Sequence, residues 1–194
     1  MAAKLVLYLA PGTSSMAPHI ALHEVAAPFE LRWLSWSRRE QEAPEFRAIN
    51  PEGKVPTLLI DGRPLTEVAA ILFYLARTYP QAALLPDGAE AEAQMVSWMS
   101  FAASTLHPAR QRGVDHAMAV WEIADRRLVG RDWAVGSYSI ADIHLFRLYW
   151  RIRGALKLAP GTFPALDAHY ERMMARPAVV RTIAAETAIG YELP

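Results

Sequence analysis

The sequence predicts a mixed α/β domain followed by an all-helical domain, and three observations support this prediction. Short apolar segments alternate with helical patterns between residues 4 and 79. The dipeptide Asp61-Gly62 separates two of the apolar segments in the manner of a tight hairpin. From residue 89 onward the pattern is helical only. Because a β-α-β connection requires parallel pairing and a hairpin requires antiparallel pairing, the sheet of the first domain must be mixed.

The alternating part of the chain contains four predicted strands and two predicted helices. The strands are expected at residues 4–10, 29–36, 55–61 and 63–65, and the helices at residues 14–26 and 67–79. Ser14 or Ser15 is a suitable N-cap for the first helix, and Thr66 is suitable for the second. Residues 37–50 are charged and irregular, which predicts a loop with a short helix. A mixed four-stranded sheet covered by helices in this order is a thioredoxin-like layout.

The composition changes between Pro80 and Gly88, where two prolines and a glycine interrupt the helical pattern. We therefore predict a thioredoxin-like domain at residues 1–80, a linker at 81–87 and an all-helical domain at 88–194. The second domain is expected to contain helices at residues 89–107, 115–129, 139–154, 163–175 and 177–187. Ser139 and Asp142 have the spacing of a capping box at the start of the third of these helices.

The composition excludes several classes of function. The 20 basic and 20 acidic residues balance, so no overall positive field favours nucleic acid. The absence of cysteine excludes disulfides, thiolate metal sites and a cysteine nucleophile. His19 and His23 have the spacing of a metal pair, but no third ligand accompanies them, and we predict no metal site. No apolar segment is long enough for a membrane span, and the first is too short for a signal peptide. We expect a cytoplasmic protein with no nucleic-acid or membrane partner.

The segment Asn50-Pro51-Glu52-Gly53-Lys54-Val55-Pro56-Thr57-Leu58 is the most informative stretch of the chain. A proline at the head of a strand leaves the preceding residue extended, with backbone polar groups that can pair with something else. The segment resembles the N-P-x-G-x-V-P-x-L motif of the glutathione transferase superfamily. In that family the proline is cis, and the residue before it pairs its backbone with the cysteinyl unit of glutathione. The resemblance implies that Val55 and Pro56 belong to a glutathione site.

Further positions extend this predicted glutathione site. Glu67 matches the acidic residue that holds the γ-glutamyl end of glutathione in the family. Val68 stands where the family has serine or glycine, so only its backbone amide, at a helix N-terminus, can serve the ligand carboxylate. Arg39, in the basic pair that precedes the motif, is also included as a glutathione-binding candidate.

The N-terminal motif resembles the bacterial beta class of this superfamily. Residues 11–22 match its pattern P-G-x-C-S-x-x-P-H-I-x-L, with Ser14 at the cysteine position and Ser15 after it. A hydroxyl at a helix N-terminus can donate a hydrogen bond to a thiolate and lower the pKa of the thiol, so both serines are catalytic candidates. Both are equally suited to capping the helix. His107 resembles the histidine of the beta-class S-x-L-H segment, which lies near the glutathione sulfur, and is the third catalytic candidate.

The resemblance extends from Leu5 to about Glu186 and implies a homodimeric detoxification enzyme with glutathione as its cosubstrate. Such an enzyme joins the glutathione thiolate to a small hydrophobic electrophile. The candidate electrophile site comprises Trp98, Phe101, Arg110, Tyr149, Trp150 and Arg153. For the aromatic residues of this set, core packing is the alternative, and the arginines are equally suited to solvent.

Three other functions compete with conjugation. The first is a glutathione-dependent peroxidase, ether-cleaving, dehalogenating or isomerising reaction. The second is a non-catalytic binding or regulatory protein on the same fold, which the missing cysteine and Val68 favour. The third is a thiol-disulfide oxidoreductase or lyase, which the absence of cysteine disfavours.

Overall fold

A computed structural model describes residues 3–192, which divide into two compact units. One unit runs to Tyr79 and includes the segment from Pro177 onward; the other is Pro80–Arg176. The chain therefore passes from one unit to the other near residue 80, where the composition changes. The last helix lies in the first unit, whereas the sequence analysis assigned it to the helical domain. Helical periodicity identifies an apolar face but not the element against which that face packs.

The first unit contains a four-stranded sheet of β1 (Leu5–Leu9), β2 (Phe29–Trp33), β3 (Thr57–Ile60) and β4 (Arg63–Thr66). The strand order is β2-β1-β3-β4, with β1 parallel to β2 and antiparallel to β3, and β3 antiparallel to β4. The predicted mixed sheet is confirmed. At the β3–β4 turn, Asp61 and Gly62 have φ values of 49° and 80°, the positive φ values that a type I′ hairpin requires.

Four helices belong to the first unit: α1 (Met16–Glu24), α2 (Pro44–Arg47), α3 (Val68–Thr78) and α8 (Pro177–Ile189). A 3₁₀ turn at Glu40–Glu42 precedes α2. All seven residues of α1 from Met16 to Leu22 are buried, because α3 and α8 both pack against this helix. α3 buries an apolar stripe at the predicted helical spacing.

The starts of α1 and α3 differ from the predicted caps. Ser15 occupies the N-cap position of α1, but no side chain caps this helix, so the predicted capping by Ser14 or Ser15 is wrong. The N-cap residue of α3 is Glu67, not Thr66, and it also makes no capping hydrogen bond through its side chain. The first amides of α3 therefore require an acceptor from outside the helix.

The second unit contains α4 (Ala89–Phe101), α5 (Val114–Leu128), α6 (Ile140–Leu156) and α7 (Pro164–Met174). The predicted helices are present, with ends that differ by a few residues. The predicted helix at 89–107 changes character after α4. It continues as a π-helical turn at Ala102–Leu106, where the amide of His107 donates to the carbonyl of Ala102 at 3.0 Å. Within residues 3–192, no helix has the length and apolar character needed to cross a membrane.

The start of α6 is fixed by the predicted capping box. The buried Asp142 accepts hydrogen bonds from the Ser139 amide at 2.9 Å and from the Ser139 hydroxyl at 3.1 Å. Its other oxygen accepts from the Ala134 amide at 2.8 Å and lies 3.0 Å from Nε2 of His169. The capping box therefore also attaches α6 to the preceding loop and to α7, in a buried network whose role is structural.

Candidate functional site

The turn between β1 and α1 places Ser15 inside the protein. Its side chain has no exposed surface. Its hydroxyl donates to the Ala10 carbonyl at 3.1 Å, accepts from the Ala10 amide at 3.2 Å and lies 2.7 Å from the Thr13 hydroxyl. These contacts tie the start of the helix to the end of the strand. Of the two serines, Ser15 therefore has no surface to present to a thiolate.

Ser14 occupies a different environment on the same turn. It is half-buried, and the part of the chain that the structure describes gives its hydroxyl no hydrogen-bond partner. It immediately precedes Ser15, so its hydroxyl lies at the positive end of the α1 dipole. This is the position in which a hydroxyl can donate to an anion without giving up an existing bond.

A buried carboxylate holds the turn that carries Ser14, and the sequence analysis missed it. Glu186 of α8 has no exposed surface, and its Oε2 accepts a hydrogen bond from the Gly12 amide at 2.7 Å. Its Oε1 lies 2.9 Å from Nδ1 of His19, which is also fully buried. A carboxylate on the final helix thus fixes both α1 and the turn before it. The sequence signal was an acidic residue on a largely apolar helix, but nothing in the sequence names its partner.

His19 and His23 lie close together without forming a metal site. Their ring centroids are 5.1 Å apart, but Nδ1 of His19 is occupied by Glu186. Among residues 3–192, no group of three His, Cys, Asp or Glu side chains is arranged to hold a metal ion. Burial, with smaller contributions from His19 and Arg181, lowers the pKa of His23 to about 4. His23 is therefore neutral at physiological pH.

The loop before β3 presents the backbone of Val55. The side-chain amide nitrogen Nδ2 of Asn50 donates to the Lys54 carbonyl at 2.8 Å and to the Thr57 hydroxyl at 3.0 Å. The Val55–Pro56 peptide bond is cis, as the resemblance implied. Among the turn and loop hydrogen bonds of the described residues, none uses the amide or carbonyl of Val55. Pro56 is buried, whereas Val55 is half-exposed, so the loop is held internally while one backbone edge remains available.

Gly53 is required at its place in this loop. Its φ is +61°, and a Cβ atom there would lie 2.9 Å from the Gln41 carbonyl oxygen. A side chain would therefore push the loop away from the segment that supports it.

The start of α3 supplies the second group of candidate ligand contacts. Glu67 is exposed, and its carboxylate makes no ion pair or hydrogen bond within the described residues. Its φ of 69° and ψ of 126° lie in a region that non-glycine residues rarely adopt, a strain of about 1–3 kcal/mol that often occurs at functional sites. Val68 buries its side chain, so only its amide, at the helix N-terminus, is available to a carboxylate.

The side chain of Arg39 is bonded to a neighbouring acidic side chain and not to these groups. Its guanidinium forms a fork with Glu42, with Nε 3.1 Å from Oε1 and Nη2 2.6 Å from Oε2. The arginine side chain is 73% exposed. Arg39 is therefore held by a surface ion pair, and a role in binding requires this pair to open.

The second unit contains a cleft of about 350 Å³ beside His107. His107 is exposed at its edge and directly follows the π-helical turn. The protein packed around the imidazole, together with Arg147, lowers the pKa of His107. Arg110, a predicted electrophile-site residue, also lines this cleft. The other eight lining residues, among them Trp121, Arg147 and Arg151, were missed by the sequence analysis.

The other predicted electrophile-site residues are not in this cleft. Trp98 is buried and donates its indole N–H to the Ala134 carbonyl at 3.0 Å. Phe101 packs on Trp98, and the Arg127 guanidinium lies over both rings at 4.2 and 4.7 Å. Tyr149 has no exposed surface and donates to Asp167 at 2.7 Å. Core packing, the alternative interpretation, therefore describes Trp98 and Tyr149.

Trp150 and Arg153 line a second cleft of about 360 Å³, which shares Arg151 with the cleft beside His107. The Arg153 guanidinium lies 4.4 Å above the ring of Tyr170. The residues predicted as one electrophile site thus divide between the core and two clefts, because residues on one helix face different directions.

The first unit thus combines a thioredoxin-like sheet, a cis-proline loop with an open backbone edge and an uncapped helix start, and the second unit is helical. This combination defines a class of two-domain proteins with a thioredoxin-like first domain and a helical second domain. Family models agree with the class: "Glutathione S-transferase, N-terminal domain" matches residues 3–77, and "Glutathione S-transferase, C-terminal domain" matches residues 89–177. The chain belongs to the glutathione S-transferase family.

Relatives match almost the whole chain. Glutathione S-transferase GST-4.5 of Xanthomonas campestris pv. campestris is 33% identical over 203 residues, which cover 93% of this chain and 98% of the relative. Glutathione S-transferase GstA of Escherichia coli O157:H7 is 31% identical over 198 residues, with 93% and 98% coverage. A solved structure of a glutathione transferase homologue from Sulfitobacter, with bound glutathione, matches with a TM-score of 0.84, 30% identity and coverage of 96% and 98%.

Proposed function

We propose that the protein is a glutathione transferase, which joins the thiolate of its cosubstrate glutathione to an electrophilic carbon of a small molecule with an apolar body. The observation that carries the proposal is the half-buried Ser14 hydroxyl, which has no partner within the described residues and lies at the N-terminus of α1. The glutathione that the Sulfitobacter relative holds supports the choice of cosubstrate. The motif at residues 11–22 supports a beta-like site with serine in place of cysteine.

The residues of the first unit fit glutathione by their chemistry. The open amide and carbonyl of Val55 can pair with a peptide backbone in the manner of an added strand. The Glu67 carboxylate is suited to the ammonium group of the γ-glutamyl unit, and the Val68 amide at the start of α3 to its carboxylate. Pro56 holds this edge in place, and Arg39 is a further candidate if it leaves Glu42.

Ser14 supplies the activation of the thiol in this proposal. A thiol has a pKa of about 8.5, so only a minor fraction is ionised near neutral pH. A hydrogen bond from the Ser14 hydroxyl stabilises the thiolate, and the α1 dipole acts in the same direction. Ser15 and Glu186 hold the turn in the conformation that keeps the Ser14 hydroxyl available.

The reaction follows from these roles. The thiol proton passes to solvent, and the sulfur lone pair forms a bond to the electrophilic carbon. The electrons of the broken bond depart with the leaving group or move into an adjacent acceptor. His107, which its lowered pKa keeps neutral, is a candidate donor or acceptor during this step. We propose further that the enzyme is a cytoplasmic homodimer that removes electrophiles.

Calorimetric titration with glutathione, combined with ultraviolet detection of bound thiolate, tests this function. We expect binding in the micromolar to millimolar range and a thiolate band at neutral pH. Glu67→Gln keeps the side-chain shape but removes the charge, and it should weaken binding roughly tenfold, the equivalent of about 1.4 kcal/mol. Glu45→Gln, which alters an exposed carboxylate of the same unit, is the matched control. No binding at millimolar glutathione would exclude the proposal.

A non-catalytic binding protein is the second candidate, because Val68 brings no hydroxyl to the ligand carboxylate and no cysteine is present. The same titration separates the two functions. A binding protein binds glutathione but shows no thiolate band and no turnover of any aromatic electrophile. A transferase shows glutathione binding, the thiolate band and turnover.

A further inference from the structure

The segment that follows α8 carries a carboxylate that the loop after β2 holds. The Ser37 amide donates to Oε2 of Glu192 at 2.7 Å. The Ser35 hydroxyl donates to both oxygens of the same carboxylate, and it lies 3.0 Å from each. Ser35 is only 2% exposed, so its hydroxyl has little freedom to turn elsewhere. Glu192 therefore occupies a set of amide and hydroxyl donors that lies more than 150 positions earlier in the chain.

The carboxylate of Glu192 is bound as an anion on a segment that can move. The Ser37 amide lowers the pKa of Glu192, and the hydroxyls of Ser35 and Ser37 and the Trp36 amide act in the same direction. Hydrogen bonds to a charged acceptor are roughly twice as strong as neutral ones. Gly190 connects this segment to α8 with a φ of 105°, which favours glycine, and Glu192 is exposed. Residues 190–192, which we call the strap, can therefore leave the loop while α8 stays packed.

The loop that receives the strap also supports the candidate glutathione site. The Ser35 amide donates to the Glu40 carboxylate at 2.8 Å, and the Glu40 amide donates to the Ser35 carbonyl at 3.1 Å. Glu40 begins the 3₁₀ turn whose next residue, the buried Gln41, places its carbonyl oxygen against Gly53. Gly53 precedes Val55 by two residues, and the backbone of Val55 is a proposed contact for glutathione. A continuous series of contacts therefore connects the strap to Val55.

The end of α8 holds a second part of the candidate site in a different way. Glu186 accepts a hydrogen bond from the Gly12 amide at 2.7 Å and so fixes the turn that carries Ser14. This contact is fully buried, whereas Glu192 is exposed. Of these two contacts, the Glu192 contact is the one that can open while the core remains intact.

We propose that Glu192 is a positioning residue for glutathione, whose contact with the Ser35–Ser37 loop holds the Val55 backbone in the arrangement that pairs with the ligand. When Glu192 leaves the loop, the Val55 backbone loses support and glutathione binds more weakly. The proposal rests on the proposed function, because glutathione is the ligand whose affinity changes. Ser14 is not part of this series of contacts, so activation of the thiol is unaffected. Because such coupling is reciprocal, bound glutathione also keeps the strap on the loop.

Trypsin cleavage in the absence of glutathione measures the release of the loop. Arg38 and Arg39 are exposed, and at low protease concentration cleavage after them follows the population of the open form. Glu192→Ala removes the carboxylate and should raise this cleavage rate about tenfold, and Glu192→Gln, which keeps one neutral acceptor, about threefold. Cleavage after Arg112, exposed in the second unit, is the internal reference and should stay unchanged. Equal cleavage after Arg39 in Glu192→Ala and in the unmodified protein overturns the proposal.

Glutathione titration then measures the effect of the strap on the site. Glu192→Ala should weaken glutathione binding roughly three- to tenfold, while the pH midpoint of the thiolate band at saturation stays unchanged. Urea unfolding should also be nearly unchanged, because Glu192 is exposed. Glu45→Gln is the matched control for Glu192→Gln, since its exposed carboxylate has no partner within the described residues, and it should change neither cleavage nor affinity. Weaker binding together with unfolding at a lower urea concentration identifies a general loss of stability and overturns the positioning role.

Reciprocity supplies the last measurement and separates the two proposals. Saturating glutathione should slow cleavage after Arg39 in the unmodified protein by about the factor by which Glu192→Ala weakens binding, and it should have a smaller effect in Glu192→Ala. Equal glutathione affinity in all variants overturns the positioning role, even if cleavage depends on Glu192. If cleavage depends on Glu192 but the unmodified protein binds no glutathione, the proposed function fails and the strap stands. Glutathione binding with cleavage that does not depend on Glu192 has the opposite meaning.

Discussion

Replacing Ser14 and Ser15 separately by alanine should give opposite results, although the two residues are adjacent. The Ser15 hydroxyl is buried and makes three contacts, with the Ala10 amide, the Ala10 carbonyl and the Thr13 hydroxyl. The Ser14 hydroxyl has none of these contacts. Ser15→Ala should therefore affect the stability of the protein, and Ser14→Ala should affect the glutathione thiol.

The magnitudes follow from the contacts. Ser15→Ala leaves the Ala10 amide without the acceptor that it has in the structure, and a buried donor left without a partner costs about 1–3 kcal/mol. The Thr13 hydroxyl keeps its bond to the Ala10 carbonyl at 2.7 Å, so we expect a loss of about 2 kcal/mol in the free energy of unfolding. Ser14→Ala should change this free energy by less than about 0.5 kcal/mol. It should raise the pKa of the bound thiol by about one unit or more, which is a rate loss of roughly tenfold at neutral pH.

Urea unfolding measures the first effect, and the pH dependence of the thiolate band of bound glutathione measures the second. Ser14→Thr, which keeps a hydroxyl, is the control and should retain much of the thiolate band. Unfolding of Ser15→Ala at the same urea concentration as the unmodified protein would refute a structural role for the Ser15 hydroxyl. Loss of the thiolate band in a folded Ser15→Ala protein, with the band kept in Ser14→Ala, would refute the role of Ser14 as the donor.

Two further predictions concern buried charge. Glu186→Ala removes the acceptor shared by the Gly12 amide and His19, and it should lower the free energy of unfolding measured in urea by about 3–5 kcal/mol. Thr187→Ala changes an exposed neighbour and should leave this free energy nearly unchanged. A loss below about 1 kcal/mol in Glu186→Ala would contradict the prediction. His144 has a folded pKa of about 3 and an unfolded pKa of about 6.5, so the unfolded chain binds more protons between these values and stability falls as pH falls. Between pH 7 and pH 5, protonation of this group in the unfolded chain should lower the free energy of unfolding by about 2 kcal/mol. The urea midpoints of the unmodified protein should therefore fall more steeply with decreasing pH than those of His144→Gln. Identical slopes for the two proteins would refute the prediction.

The sheet and most helices could be predicted from the sequence because their signals are local. The Asp61-Gly62 dipeptide fixes a hairpin through positive φ values, and helical periodicity marks α3 without knowledge of its partner. The capping box of Ser139 and Asp142 was recognisable because both residues lie within one turn. The cis Val55–Pro56 bond came from resemblance to a family and not from the residues alone.

The assignment of roles within the site depended on the tertiary structure. Ser14 and Ser15 are chemically identical. Only the direction of each side chain makes the Ser15 hydroxyl a buried, hydrogen-bonded group and the Ser14 hydroxyl an available donor. Glu186 lies more than 160 residues from its partners His19 and Gly12, a separation that no local pattern reports. The three arginines of the cleft come from a 3₁₀ turn and one face of α6, and packing alone brings them together. The sequence determined which segments form helices and strands, because backbone preferences act over a few residues. The tertiary structure decided which side chains meet, because burial and charge act across the whole chain.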